Sequence, residues 1–241
     1  MKKLVFILLA LLAGIGAEAQ ETLIPISKKE RKIISHSKEL KLYDEEIKRL
    51  LIPAATEFGM ICKPSFSREF SLTYNPIAHA LIYTEADTSI WSRTFEASHR
   101  LKRIGESEFM WKSQQTTSYH APGTKMYILP ISDEMAQSLK RLWKVAINQA
   151  EFPEKERTKM KTEDGKVITV EIEEIVFDGT GWEYFFKGKR ANFQGGNKGG
   201  KGKVGSLINL TIELRNAVRE NDSQKCAALQ SQIDSLYKEF K

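Results

Sequence analysis

The sequence predicts an α+β protein: an antiparallel β meander and hairpins with an N-terminal helix, a central helix and a C-terminal αα-hairpin. Three observations predict it. Apolar and polar residues alternate in stretches between residues 66 and 129 and again between 168 and 186, the period of half-buried strands. Apolar residues recur at spacings of three, four and seven around 27–51, 132–150 and 206–240, the period of amphipathic helices. The 241 residues are 28% charged and 41% apolar, which excludes intrinsic disorder, a collagen-like repeat and a disulfide-dense mini-protein.

Residues 1–19 have the three parts of a secretory signal peptide. Met1-Lys2-Lys3 is a basic start, Leu4 to Ile15 is an uncharged apolar run, and Ala17-Glu18-Ala19 places small residues where a signal peptidase reads. The run is too short for a comfortable membrane span, which needs about 20 residues. Cleavage between Ala19 and Gln20 leaves a secreted or periplasmic chain, read as one α+β domain over 20–241. Lys2, Lys3 and Glu18 leave with the peptide, so the net charge falls from +6 to +5.

The first helix is expected from about Ser27 to Leu51. Ile33, Leu40, Tyr43, Ile47 and Leu50 form its apolar stripe, with His36 beside them, and Ile52-Pro53 ends it. Phe66, Phe70, Leu72 and Tyr74 then alternate as a strand, and Asn75-Pro76 is a turn. Residues 80–84, 89–95, 108–113 and 125–129 are expected as further strands. Ser132 is a good N-cap for a helix whose stripe is Met135, Leu139, Leu142, Trp143, Ala146, Ile147 and Ala150. Beyond Pro153, Glu163-Asp164-Gly165 and the turn at 178–181 suggest two consecutive hairpins, with a bulge at Glu174-Ile175.

Six glycines between 195 and 205 read as a flexible loop, able to hinge the helical pair 206–241. Ser206 is expected to cap the first helix of that pair. Asn221-Asp222-Ser223 breaks it, and Cys226, Leu229, Ile233, Leu236 and Phe240 form the second stripe.

The segment 187–203 is expected as a mobile loop; it carries Lys187, Lys189, Arg190, Lys198, Lys201 and Lys203 and no acidic residue. The rest of the mature chain sums to −1, so the excess charge belongs to this segment. Basic residues interleaved with aromatics suit an anionic glycan, a lipid headgroup or a protein partner. The competing reading is local neutralisation by Glu171, Glu173, Glu174, Asp178 and Glu183 just upstream. Trp182 follows a glycine-rich turn and is the tryptophan singled out as a candidate contact.

Gly195, Gly200 and Lys201 match a phosphate-loop spacing, but Gly202 stands where a magnesium-ligating Ser or Thr is required. His36, His79, His99 and His120 show no metal-ligand spacing, so neither a metal site nor a cofactor is expected. Cys62 beside Pro64 is a poor candidate for a thiolate nucleophile. Cys62 and Cys226 are a candidate disulfide in an oxidising compartment, or two separate buried thiols; the apolar stripe around Cys226 favours the second. The leading functional reading is a non-catalytic binding or envelope-associated protein. The alternatives are a secreted hydrolase with dispersed carboxylates and an assembly factor docking through its C-terminal helices.

Overall fold

The structure is a computed structural model that describes residues 22–26, 37–64, 67–96, 100–104, 108–112, 121–152, 156–161, 167–172, 180–195 and 200–241. Seven strands form one antiparallel sheet: β1 (Ile24–Pro25), β2 (Phe58–Pro64), β3 (Phe70–Asn75), β4 (Ala80–Ala86), β7 (Thr124–Pro130), β10 (Thr180–Phe186) and β11 (Lys189–Gly195), in the order β1-β11-β10-β2-β3-β4-β7. Two further hairpins pair separately, β5 (Arg100–Ile104) with β6 (Glu108–Lys112) and β8 (Glu156–Lys161) with β9 (Val167–Ile172). The helices are α1 (Lys38–Leu51), α2 (Ile90–Glu96), α3 (Asp133–Asn148), α4 (Gly202–Glu220), α5 (Ser223–Ala228) and α6 (Gln230–Phe240). The α+β architecture and the C-terminal helical pair are as expected.

Strand alternation divides the sheet into two faces. Phe58, Met60 and Cys62 of β2 align with Leu72 and Tyr74 of β3, Leu81 and Tyr83 of β4, and Trp182, Tyr184 and Phe186 of β10 on the first face. The stripes of α3, α4 and α6 pack there, through Leu139, Leu142, Trp143, Leu207, Leu214, Ile233 and Phe240, together with Cys226 of α5. Sheet and C-terminal helices therefore share one core. Each fully buried aliphatic side chain in it contributes about 1.5–3 kcal/mol. The second face is smaller: Ile61, Ala86 and Phe185 meet Tyr43, Ile47 and Leu51 of α1 and Ile90 of α2.

The turns follow local chemistry. Asn75 Oδ1 accepts hydrogen bonds from the N–H groups of Ile77 and Ala78, and His79 takes a left-handed φ of 47° before β4 begins. Lys187 and Gly188, with φ of 46° and 80°, make a two-residue hairpin between β10 and β11. Ser132 caps α3 by accepting from the Met135 N–H at 3.2 Å. Asn221 closes α4 in the left-handed conformation, and Asp222 caps α5 by accepting from the Lys225 N–H at 2.8 Å.

Several expectations are corrected. Residues 89–95 were expected as a strand, but Ile90–Glu96 is helical, because Ser89 and the buried Glu69 carboxylate cap its first turn. Strand β2 was not anticipated: its Phe58–Pro64 run is buried on both faces and shows no alternation. The second hairpin turns at Lys187-Gly188, since β10 pairs with β11 and β2 and not with β9. The last helical pair begins at Gly202 with Lys201 as its N-cap, ahead of Ser206, and Leu229 divides its second arm into α5 and α6. Residues 200–205 fold back so tightly that a Cβ on Gly205 would lie 2.0 Å from the Gly200 carbonyl oxygen, which explains a glycine inside a helix. The signal-peptide segment, His36, His99, His120, the bulge at 174–175 and Lys198 lie outside the described residues.

Candidate functional site

The segment 187–203 was expected as a mobile loop, but its described residues include a turn, a strand and the start of a helix, because Lys189–Gly195 pairs with β10. Lys187 and Gly188 form the β10–β11 turn. Lys189 and Arg190 open β11. Lys201 and Lys203 bracket Gly202 at the start of α4.

Local neutralisation accounts for part of the charge. Arg190 Nη1 donates to Glu183 Oε1 at 2.7 Å and stands 4.0 Å from Asp44 Oδ1 of α1. Lys63 Nζ donates to the other oxygen of Glu183 at 2.6 Å. Glu183 is buried on the second face, so two cations from β2 and β11 enclose one carboxylate. This cluster ties α1 to the sheet. Lys187 faces Glu57 at 3.8 Å, and Glu57 also accepts from Lys140 at 2.7 Å. Lys189 Nζ donates to Asn148 Oδ1 at 2.8 Å. The remaining described lysines of the segment, Lys201 and Lys203, have a different setting. α4 carries no acidic residue in its first turn and no side-chain cap at Lys201, so both lysines add their charge to the positive end of the helix dipole.

Trp182 is not a surface contact. It is 1% exposed, with its ring 6.0 Å from that of Phe70 in an edge-to-face arrangement. The glycine-rich turn before it gave the wrong cue, because β10 is an inner strand with neighbours on both sides.

The cysteines are free thiols, both buried. Cys62 lies in β2, where burial raises its pKa far above the ordinary range despite the Arg215 charge. Burial also pushes the Cys226 thiol up to about 11, with the Asp222 charge acting in the same direction. Burial thus disfavours the thiolate form of both, which makes each a poor candidate for a nucleophile.

Glu69 is the functional-looking residue that the sequence conceals. Its carboxylate has no solvent exposure and accepts from Tyr43 Oη at 3.2 Å, the Ile90 N–H at 2.7 Å and the Trp91 N–H at 2.8 Å. Burial, then the Glu69 charge, hold the Tyr43 phenol protonated far above its usual range. All of these contacts hold α1 and α2 together, so this carboxylate is structural. Nothing in the sequence near Glu69 marks it, because its partners are 20 or more residues away.

A cleft of about 370 Å³ lies between the β7–α3 junction and α5, lined by Ile131, Ser132, Met135, Gln224 and Cys226. The Ser132 hydroxyl there caps α3, and the Cys226 thiol is protonated. Among the described residues no group of three or more His, Cys, Asp or Glu side chains is placed to hold a metal. His79 is exposed, with its ring nitrogen 3.1 Å from Asp133. No described helix is long and apolar enough to cross a membrane.

Comparison with protein-family models, curated proteins and solved structures finds no match to this chain.

Proposed function

We propose that this is an exported, non-catalytic binding protein that contacts an anionic partner through the lysine-bearing segment 187–203, chiefly at the start of α4. The observation that carries the reading is the charge at Lys201 and Lys203. Arg190, Lys187 and Lys189 are engaged by Glu183, Glu57 and Asn148, while no acidic residue faces the two lysines from their own first turn. Lysine acts as a point charge on a flexible stem, which suits sulfate, phosphate or carboxylate groups on a repeating polymer or a headgroup.

Two further observations support it over the alternatives. The buried carboxylates Glu69 and Glu183 and the thiols of Cys62 and Cys226 are committed to the fold, which disfavours a hydrolase built on them. The apolar stripes of α4 and α6 are buried in the core that the sheet shares with the helices. The large exposed apolar residues among those described, Ile77, Trp91, Met126, Ile128 and Phe152, all lie outside the C-terminal helices. Docking through those helices therefore lacks an apolar surface.

Export rests on residues 1–19. In an exporting host the purified protein is expected to begin at Gln20, as read by N-terminal sequencing; a product still starting at Met1 refutes export. For binding, the mature protein is passed over immobilised heparin and separately mixed with vesicles of anionic phospholipid. Retention on one or both, weakened by salt and by Lys201→Ala with Lys203→Ala, is expected, and the arm that retains the protein identifies glycan or headgroup. Retention unchanged by the substitutions, or absent from both arms, overturns the assignment of this segment.

A further inference from the structure

The two ends of the seven-stranded sheet differ. At one end β1 is two residues long and offers little edge. At the other, β7 runs for seven residues, and no described strand pairs with its outer side. A long open edge with exposed apolar side chains is a template for another strand.

The hydrogen bonds fix which backbone groups are open. The Ile131 N–H donates to the His79 carbonyl at 3.0 Å, and the Asp87 N–H donates to the Gly123 carbonyl at 2.9 Å. These bonds bracket the β4–β7 ladder, and both involve odd-numbered residues on the β7 side. In an antiparallel pair, bonded and non-bonded positions alternate. Lys125, Tyr127 and Leu129 therefore spend their N–H and C=O groups on β4. Thr124, Met126 and Ile128 point theirs outward, and Pro130 offers a carbonyl only. Met126 and Ile128 are also the residues whose side chains stand 51% and 52% exposed on the second face.

We infer that β7 is a dimerisation edge that pairs antiparallel with β7 of a second copy of this chain, about a two-fold axis at Tyr127. The strand is self-complementary in that register. All seven residues find partners: Thr124 opposite Pro130, Lys125 opposite Leu129, Met126 opposite Ile128, and Tyr127 opposite its own copy. The bonds exchanged are those of the even-numbered residues, which are the free ones. A shift of one residue would oppose open groups to committed ones, and a shift of two would leave residues unpaired. Met126 and Ile128 meet as two apolar cross-strand pairs. The single charge of the strand, Lys125, faces a leucine, so like charges stay at opposite ends of the strand pair. Pro130, which lacks an N–H, falls at the last pair, where it forgoes least.

The first face carries a second, independent indication. Rings run across the sheet from Trp182 to Phe70, Tyr83 and Tyr127, with centroid separations of 6.0, 5.7 and 5.5 Å, and the row stops at the open edge. At the two-fold, Tyr127 and its copy form a non-hydrogen-bonded pair, in which side chains approach most closely. The row then continues from one subunit into the next.

The test is sedimentation equilibrium of the mature chain over a wide concentration range. A monomer–dimer equilibrium is expected, abolished by Met126→Lys with Ile128→Lys. Both side chains are half-exposed, so thermal unfolding and circular dichroism of that variant should match the parent at a concentration where the parent is monomeric. Two cysteine variants read the register. Tyr127→Cys should cross-link into a covalent dimer on mild oxidation, while Lys125→Cys, placed opposite Leu129, should not. A parent chain that stays monomeric throughout, a dimer indifferent to the paired lysines, or equal cross-linking of both cysteine variants overturns the inference.

Discussion

Glu69→Ala is expected to lower the unfolding free energy by about 3–5 kcal/mol, read as a shift in the urea midpoint with an unchanged slope. The carboxylate is wholly buried and accepts from the Tyr43 hydroxyl and from two backbone N–H groups at the start of α2. Alanine leaves these donors without an acceptor in a dry site. Each such donor costs about 1–3 kcal/mol, and a bond to a charged acceptor sits at the upper end. Glu69→Gln preserves the shape but turns an amide N–H toward a backbone N–H, so an intermediate loss is expected. Tyr43→Phe removes one donor together with its demand and should cost about 1 kcal/mol. A loss below that for Glu69→Ala would show that α1 and α2 are held by their apolar contacts alone.

Trp143→Ala should cost a similar amount, about 3–5 kcal/mol, through a cavity at the centre of the first face. The indole packs at 5.8 Å from the Phe58 ring and 5.7 Å from the Tyr184 ring, and its Nε1–H donates to the Gly59 carbonyl at 3.0 Å. Trp143→Phe separates the two contributions, since it keeps most of the packing and drops the hydrogen bond. In a domain of this size each kcal/mol lowers the melting temperature by about 2–4 °C. The alanine variant should therefore melt roughly 6–20 °C lower, and the phenylalanine variant should fall between it and the parent. An alanine variant melting within 2 °C of the parent would mean that α3 repacks over the sheet.

What the sequence discloses depends on how local the cause is. The Ser132 cap, the Asn75 turn, the break at Asn221 and the stripes of α3 and α6 are all set by neighbours within a few residues, and all are legible. The failures share a tertiary cause. Ile90–Glu96 contains Ile, Trp, Thr and Phe, a strand-like composition, yet a carboxylate more than 20 residues earlier supplies the helix cap. β2 hides because burial on both faces erases alternation. β11 reads as part of a basic loop because Lys189, Arg190 and Asn192 are polar, while its pairing with β10 is visible only once Lys187-Gly188 is seen as the turn. The candidate site was legible as charge and not as geometry. The run of lysines stands out in the sequence, but the partners that engage Arg190, Lys187 and Lys189 come from three separate elements. The open edge of β7 depends on hydrogen-bond parity, which no residue type encodes.

The strand order also governs when the chain can fold. β2, β3, β4 and β7 are consecutive neighbours in the main sheet, and a chain emerging from its N-terminus can assemble them early. The other side of β2 waits for β10, whose Glu183 reaches Lys63 across 120 residues of chain. β1 waits longer still, because its partner β11 is the last strand made. Closing such long loops before any contact compensates is slow. Until then the nascent half-sheet has a raw border on β2 as well as the open edge of β7, with the apolar residues of the first face uncovered. That interval is the protein's most aggregation-prone moment, and it ends only when the C-terminal half has been synthesised.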